Sequence, residues 1–177
     1  MTTCLNVRDD LVARFEWVDG HADVWRLFSD GALLRRIVTA LAEPFRDVTK
    51  VAGVEARGFI LGGAVAAELG VGFVAIRKEA GLFPGEKVSR RAEVGYRGTE
   101  HVLRMQRSAL APGDQVVLVD DWAEQGAQAL AARELIEEVG ATFAGLSLVV
   151  DQLEDDVRER IGRVHALVRA EELGSSG

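Results

Sequence analysis

The stretch Gln115–Gln128, QVVLVDDWAEQGAQ, constrains the fold more than any other part of the chain. Val116, Val117, Leu118 and Val119 form an unbroken apolar run that ends on two carboxylates, Asp120 and Asp121. Apolar residues without alternation suit a strand buried on both faces, as in a parallel sheet covered by helices. A small-residue turn with Gly126 and Ala127 follows, and then an Ala-rich segment with helical spacing, Ala129 to Val139. Such sheets hold ligands just beyond the carboxyl ends of their strands. The N–H groups of the turn and the helix start make an anion cradle there. Two acids beside an anion cradle point to a polyol phosphate, with carboxylates for hydroxyls or a metal and amides for the phosphate.

Other segments follow the same alternation. Lys50–Val54 reads as a short buried strand that leads through Glu55-Ala56-Arg57-Gly58-Phe59 into a small-residue helix, Ile60 to Leu69. Phe73–Ile76 reads as a second buried strand, ending on the cations Arg77 and Lys78. His101–Gln106 partly alternates, and Phe143–Val150 is another buried strand, ending at Asp151. A polar helical stretch, Asp155–Arg163, precedes a last short strand at Val164–Val168. Upstream, residues 5–18 read as a helix followed by an extended piece. Ala32–Phe45 carries Leu33, Leu34, Ile37, Val38 and Leu41 on one helical face, with Pro44 as a stop or kink. Strands alternating with helices predict an α/β fold with a doubly wound parallel sheet. The exception is Glu79–Gly98, a long polar stretch containing Lys87, Arg90, Arg91 and Arg97; in compact domains such stretches are lids, binding loops or disordered.

A chain of 177 residues is long enough for one α/β domain with a sizeable core. Its net charge of −7 argues against a nucleic-acid binder, which needs a basic surplus, but leaves room for a local basic pocket. No apolar run reaches 18 residues, so no membrane span is expected, and the N-terminus lacks a signal-peptide pattern. Cys4 is the one cysteine, which excludes an intrachain disulfide and fits a cytoplasmic chain. Gly174–Gly177 reads as a tail after a single domain of residues 1–173.

Together the Asp120-Asp121 strand end, its following loop and the Glu55-Ala56-Arg57-Gly58-Phe59 segment resemble the type I phosphoribosyltransferases, and within them the adenine phosphoribosyltransferases. The resemblance runs from about Asp23 to Asp151. It implies a hood and first helix over residues 1–45 and a core over 46–151 with a flap at 79–98. It also implies transfer of a phosphoribosyl group from phosphoribosyl pyrophosphate to a purine base, with Mg²⁺, in a homodimer.

By the same resemblance Asp120 and Asp121 hold the ribose hydroxyls, directly or through Mg²⁺, and count with Arg57 as catalytic. Glu55, Ala56, Arg57, Gly58, Arg77 and Lys78 face the pyrophosphate. Glu55 and Arg57 also fit an ordinary strand-end salt bridge. Trp25 or Phe28 stacks on the base or simply packs the hood. Lys87, Arg91 and Tyr96 belong to the flap, where Tyr96-Arg97-Gly98 stands in place of the family's Glu-Tyr-Gly, with Glu93 and Glu100 as substitutes.

The sugar-phosphate loop departs from the family's Ala-Thr-Gly-Gly-Thr. Here it reads Ala123-Glu124-Gln125-Gly126-Ala127-Gln128, so both threonines and one glycine are replaced. Gln125 and Gln128 still donate through their amides, but a Glu124 carboxylate near a phosphate is repulsive unless it points away. Two rival readings follow: a biosynthetic transferase with an unusual sugar donor, and a non-catalytic sensor of a nucleotide or of phosphoribosyl pyrophosphate.

Overall fold

The computed structural model describes residues 6–78, 83–92 and 101–174. Helix α1 (Val7–Arg14) leads into a small hairpin of β1 (Trp17–Val18) and β2 (His21–Ala22). Two helices follow, α2 (Val24–Ser29) and α3 (Gly31–Ala42). They are separated by Asp30, whose carboxylate caps α3 by accepting from the Ala32 and Leu33 amides at 2.9 and 3.0 Å. Pro44 ends α3 in a single 3-10 turn, Glu43–Phe45.

The main sheet then builds from β3 (Lys50–Val54), α4 (Arg57–Leu69), β4 (Gly72–Lys78), β5 (Lys87–Ala92), β6 (His101–Gln106) and β7 (Gln115–Ala123). It continues through α5 (Ala127–Glu138), β8 (Thr142–Asp151), α6 (Asp155–Ile161) and β9 (Val164–Arg169). Strand order is β5-β6-β4-β3-β7-β8-β9. The five strands β4, β3, β7, β8 and β9 run parallel, and β6 and β5 add antiparallel at one edge.

The unbroken apolar run of β7 is divided between two cores. Val116 and Leu118 pack with α5 residues such as Ala132, Leu135 and Ile136. Val117 and Val119 pack on the opposite face with Leu41 of α3 and Leu61 and Val65 of α4. Each face of the strand is fully dry, which is why the sequence there shows no alternation. Leu11 and Phe15 of α1 join the second core, so the N-terminal segment is anchored to the sheet.

Several boundaries differ from the sequence reading. Arg77 and Lys78 do not follow β4 but lie within it, because β6 pairs with them through Arg104 and Leu103. Asp120, Asp121 and Ala123 likewise lie inside β7, since β8 pairs as far as Ala123 and Asp151. Trp25 and Phe28 sit on the short helix α2. The polar stretch after β4 is not all loop. Val88, Arg90 and Ala92 share one face of β5, where Val88 and Ala92 are buried against the α5 core and Arg90 pairs with Glu138 at 2.6 Å and Glu134 at 3.5 Å. Two apolar residues in six were too few to read as a strand, and the α5 partner supplies what the pattern lacks.

Between β3 and α4 the fold demands glycine for closeness. A Cβ on Gly53 would lie 2.2 Å from the Gly58 carbonyl oxygen, so the start of α4 rests directly on the end of β3. Gly63, on the same helix, has no neighbour within 4 Å of its would-be Cβ. Gly53→Ala should therefore destabilise by about 1–3 kcal/mol through overpacking, whereas Gly63→Ala should stabilise by about 0.5–1 kcal/mol through helix propensity. Denaturant unfolding of the two variants beside the parent protein checks both signs.

Candidate active site

The carboxyl ends of β3, β4 and β7 converge on a cavity of about 530 Å³. Its floor is the β7 end, with Asp120, Asp121, Trp122 and Ala123. One side is the turn into α4, with Glu55, Ala56 and Arg57. The opposite side is Glu124 to Ala129, the turn and first residues of α5, and Lys78, Ala92 and Trp25 complete the rim. A crevice where helices on both faces begin beside strand ends is the ligand position of a doubly wound sheet.

Asp121 is 3% exposed and lies 2.7 Å from the Arg57 guanidinium. The Nε–H is not aligned on Asp121 Oδ2, so that buried oxygen is held by charge rather than by a directed hydrogen bond. Asp120 Oδ1 accepts the Asp121 backbone N–H at 2.9 Å. Removal from water, reinforced by the neighbouring Asp121 charge, raises the Asp120 carboxyl well above the ordinary 3.8. A cation beside the pair would relieve that repulsion.

Glu55 and Arg57 each form an ion pair, but with other partners and not with each other. Glu55 pairs with Arg77, Nε to Oε2 at 3.0 Å, and accepts the Lys78 backbone N–H at 2.7 Å. Arg57 instead reaches across to Asp121 and so joins the two halves of the site. The Glu55–Ala56 peptide is cis.

On the other side, Gly126 turns the chain with φ +69° and opens α5 without a side-chain cap. A Cβ there would meet Val157 at 2.4 Å, so both the backbone angle and the packing of α6 require glycine. The uncapped first turn of α5 leaves amides directed at the cavity. Glu124 and Gln125 are exposed, and Ala127 and Gln128 already belong to the helix.

The cavity thus gathers Trp25, Glu55, Ala56, Arg57, Lys78, Asp120, Asp121 and the whole Ala123–Gln128 loop from distant parts of the sequence. Other expected residues stand off it. Gly58 is buried beneath Asp120, where a Cβ would meet Asp120 Oδ1 at 3.1 Å. Arg77 is turned to Glu55. Phe28 packs on the core and edge-on to Trp25, with ring centroids 6.1 Å apart. Lys87 and Arg91 lie on β5 and are not among the lining residues, and Tyr96, Glu93 and Glu100 lie outside the described residues.

Trp122 and Ala92 are wall residues that the sequence reading missed. An indole directly after the acid pair was the available signal for the first. Ala92 had none, because its place depends on β5 docking against α5.

The phosphoribosyl transferase domain model matches residues 26–167 of the chain. A curated adenine phosphoribosyltransferase from Nitrosococcus oceani is 43% identical over 150 residues, covering 82% of this chain and 86% of its own. The crystal structure of adenine phosphoribosyltransferase from Rhodothermus marinus superposes with a TM-score of 0.81 at 29% identity, covering 92% of this chain and 98% of that one. That of the Saccharomyces cerevisiae enzyme, complexed with D-2,5-dideoxy-2,5-imino-altritol 1,6-bisphosphate and adenine, gives 0.79 at 28% identity, covering 91% and 98%.

The raised Asp120 carboxyl has a consequence for stability. A carboxyl with its folded pKa above the unfolded value contributes fully below the unfolded value, and that contribution is lost as pH rises through the folded one. Asp120→Asn keeps an acceptor for the Asp121 amide and removes the charge. The variant should melt a few degrees higher than the parent at neutral pH, and the difference should vanish near 3.8. Melting temperatures of both ligand-free proteins across this range check the sign.

Proposed function

The chain belongs to the phosphoribosyltransferase family, and we propose that it transfers a phosphoribosyl group from phosphoribosyl pyrophosphate to adenine, releasing pyrophosphate. The observation that carries this reading is the cavity in which Asp120 and Asp121 stand between an arginine-bearing turn and an uncapped helix start. The adenine phosphoribosyltransferase relatives support the choice of base.

In this reaction the bond from ribose C1 to the pyrophosphate oxygen breaks and a bond from C1 to a purine nitrogen forms. Positive charge grows on the ribose and negative charge on the leaving group, so catalysis is positioning plus electrostatic stabilisation. Asp120 and Asp121 take the ribose hydroxyls and lie beside the developing positive charge. Arg57 and Lys78, with the backbone at Ala56, take the leaving pyrophosphate, for which a planar guanidinium is well matched. The amides from Ala123 to Gln128 take the 5-phosphate at the α5 N-terminus. Trp25, 51% exposed, offers a flat face for the base.

The acid pair fits Mg²⁺. Its carboxylates repel one another, and one buried oxygen of Asp121 has no directed hydrogen bond. No group of three or more acidic, His or Cys ligands assembles among the described residues. That suits an ion held by one or two carboxylates together with substrate oxygens. When bound, Mg²⁺ neutralises charge on the pyrophosphate. The proposal includes a cytoplasmic homodimer, supported by apolar surface at Ile60 and Phe73, 43% and 37% exposed. Among the described residues no helix is long and apolar enough to cross a membrane.

The exposed Glu124 on the cavity wall favours a second reading, in which the donor is a sugar pyrophosphate altered near its phosphate end. Calorimetric titration with phosphoribosyl pyrophosphate and Mg²⁺, followed by adenine, separates the two. Donor binding and then heat of turnover with release of pyrophosphate is expected; no donor binding would leave the second reading. Asp121→Asn should lower turnover about a hundredfold or more with the fold intact, and unchanged turnover would remove the ribose role. Glu124→Ala should tighten binding of the ordinary donor. Weaker binding would mean that this carboxylate serves a group the ordinary donor lacks.

A further inference from the structure

Trp122 follows the acid pair on β7 and lies in the wall of two cavities. One is the candidate active site; the other is an open cavity of about 570 Å³ whose lining includes Trp17, Trp122 and Gln152. Trp122 is partly buried against the core that holds Val117 and Val119, and three contacts orient its ring. Its Nε1–H donates to Gln152 Oε1 at 2.8 Å, and its ring centroid lies 6.0 Å from that of Trp17 and 6.1 Å from that of Phe15. Trp17 is itself tied down, donating from Nε1 to the Gly174 carbonyl at 3.1 Å. The ring contacts supply area and shape, but the hydrogen bond sets the rotation of the indole plane, because it is the directional one.

Gln152 is well placed for that task. Its backbone N–H donates to the Ala123 carbonyl at 2.9 Å, continuing the β7–β8 ladder by one residue beyond the Ala123–Asp151 pair. The origin of its side chain is therefore fixed to the strand that carries Trp122. The amide end is exposed, so it has water as an alternative partner, and its bond to the indole is worth one ordinary hydrogen bond.

We propose that Gln152 is a positioning residue that holds the Trp122 indole, which with Trp25 supplies the aromatic lining of the cavity among the described residues, as a surface for the acceptor base, and so tunes affinity for the base without touching it. This rests on the reading of the cavity as a purine phosphoribosyltransferase site. Only the backbone of Gln152 meets the donor-binding loop, at Ala123, and a side-chain substitution leaves that bond in place; losing the bond to Trp122 therefore raises the KM for the base and spares both kcat and the KM for the donor.

The experiment compares Gln152→Leu, Gln152→Glu, Trp122→Phe and the double variant Trp122→Phe/Gln152→Leu, assayed with adenine and phosphoribosyl pyrophosphate. In parallel, indole N–H signals of the ligand-free proteins are recorded by ¹⁵N-resolved NMR. Three tryptophans give three indole signals, and Trp122→Phe identifies its own by deletion. Gln152→Leu should move the Trp122 signal and raise the KM for adenine about threefold to tenfold, leaving kcat and donor KM within about twofold. Gln152→Glu retains an acceptor oxygen and should behave as the parent. In the Trp122→Phe background Gln152→Leu should have no further effect, since the donor is gone. An unmoved indole signal, an unchanged base KM, parallel losses in donor and base KM, or an equal cost in the Trp122→Phe background would each overturn the proposal. Absence of transfer by the parent protein would overturn the base-binding part through the reading of the site, and the indole signal would still decide whether Gln152 holds the ring.

Discussion

Burial of β7 on both faces is the constraint on which the rest of the structure depends. Val116 and Leu118 need one layer of helix and Val117 and Val119 another, so the strand can only be central. A central parallel strand must have neighbours connected by crossovers, which supplies α4 and α5 on opposite faces. The starts of both helices then lie at the same end of the sheet as Asp120 and Asp121. The site is therefore a product of the packing: the strand that is driest along its length ends where the two helices leave space for a ligand.

That arrangement also explains the Arg57–Asp121 pair. Asp121 continues the side of β7 that carries Val117 and Val119, and it is nearly as buried as they are. A carboxylate kept from water needs a counter-charge. Arg57 provides it from the first turn of α4, and the close seating of Gly58 near Gly53 brings that turn within reach. Structural and chemical demands coincide at this residue under the proposed function: the cation that makes the buried acid tolerable is the one proposed to meet the leaving anion. Asp120 feels the same arginine, but burial and the neighbouring Asp121 charge outweigh it and raise its carboxyl.

Much of this was legible in the residues because it depends on local patterns. The β3 and β6 spans matched the sequence reading, and the β7, α5 and α4 motifs lay where the apolar runs and small residues placed them. What was not legible came from partners distant in sequence. Arg77 and Lys78 remain in strand because β6 returns beside them from residues beyond 100. The segment Lys87–Ala92 is a strand because α5, some forty residues later, buries Val88 and Ala92 and pairs with Arg90. The contacts of Trp122, which lines two cavities, depend on Gln152 and Trp17 from opposite ends of the chain.

The charge on the cavity wall bears on what the variant loop does. Four acids, Glu55, Asp120, Asp121 and Glu124, face two cations, Arg57 and Lys78. Glu55 is committed to Arg77, and Arg57 to Asp121, so little free positive charge greets an incoming polyanion. Among the described residues, attraction comes from the α5 N-terminus and the Lys78 ammonium, and a divalent ion brought with the donor would add to it. Replacing hydroxyl side chains by Gln125 and Gln128 keeps hydrogen-bond donors at the phosphate, whereas Glu124 adds charge of the wrong sign at the rim. Its exposure decides how much that matters. A carboxylate in water is screened by solvent and salt, so Glu124 penalises a phosphate that comes near it far less than the buried acids would. It also leaves a hydrogen-bond acceptor available to any donor group on a ligand that reaches the rim. On the proposed function the loop is a phosphate cradle carried by backbone and amides, and Glu124 is the exposed carboxylate on its rim.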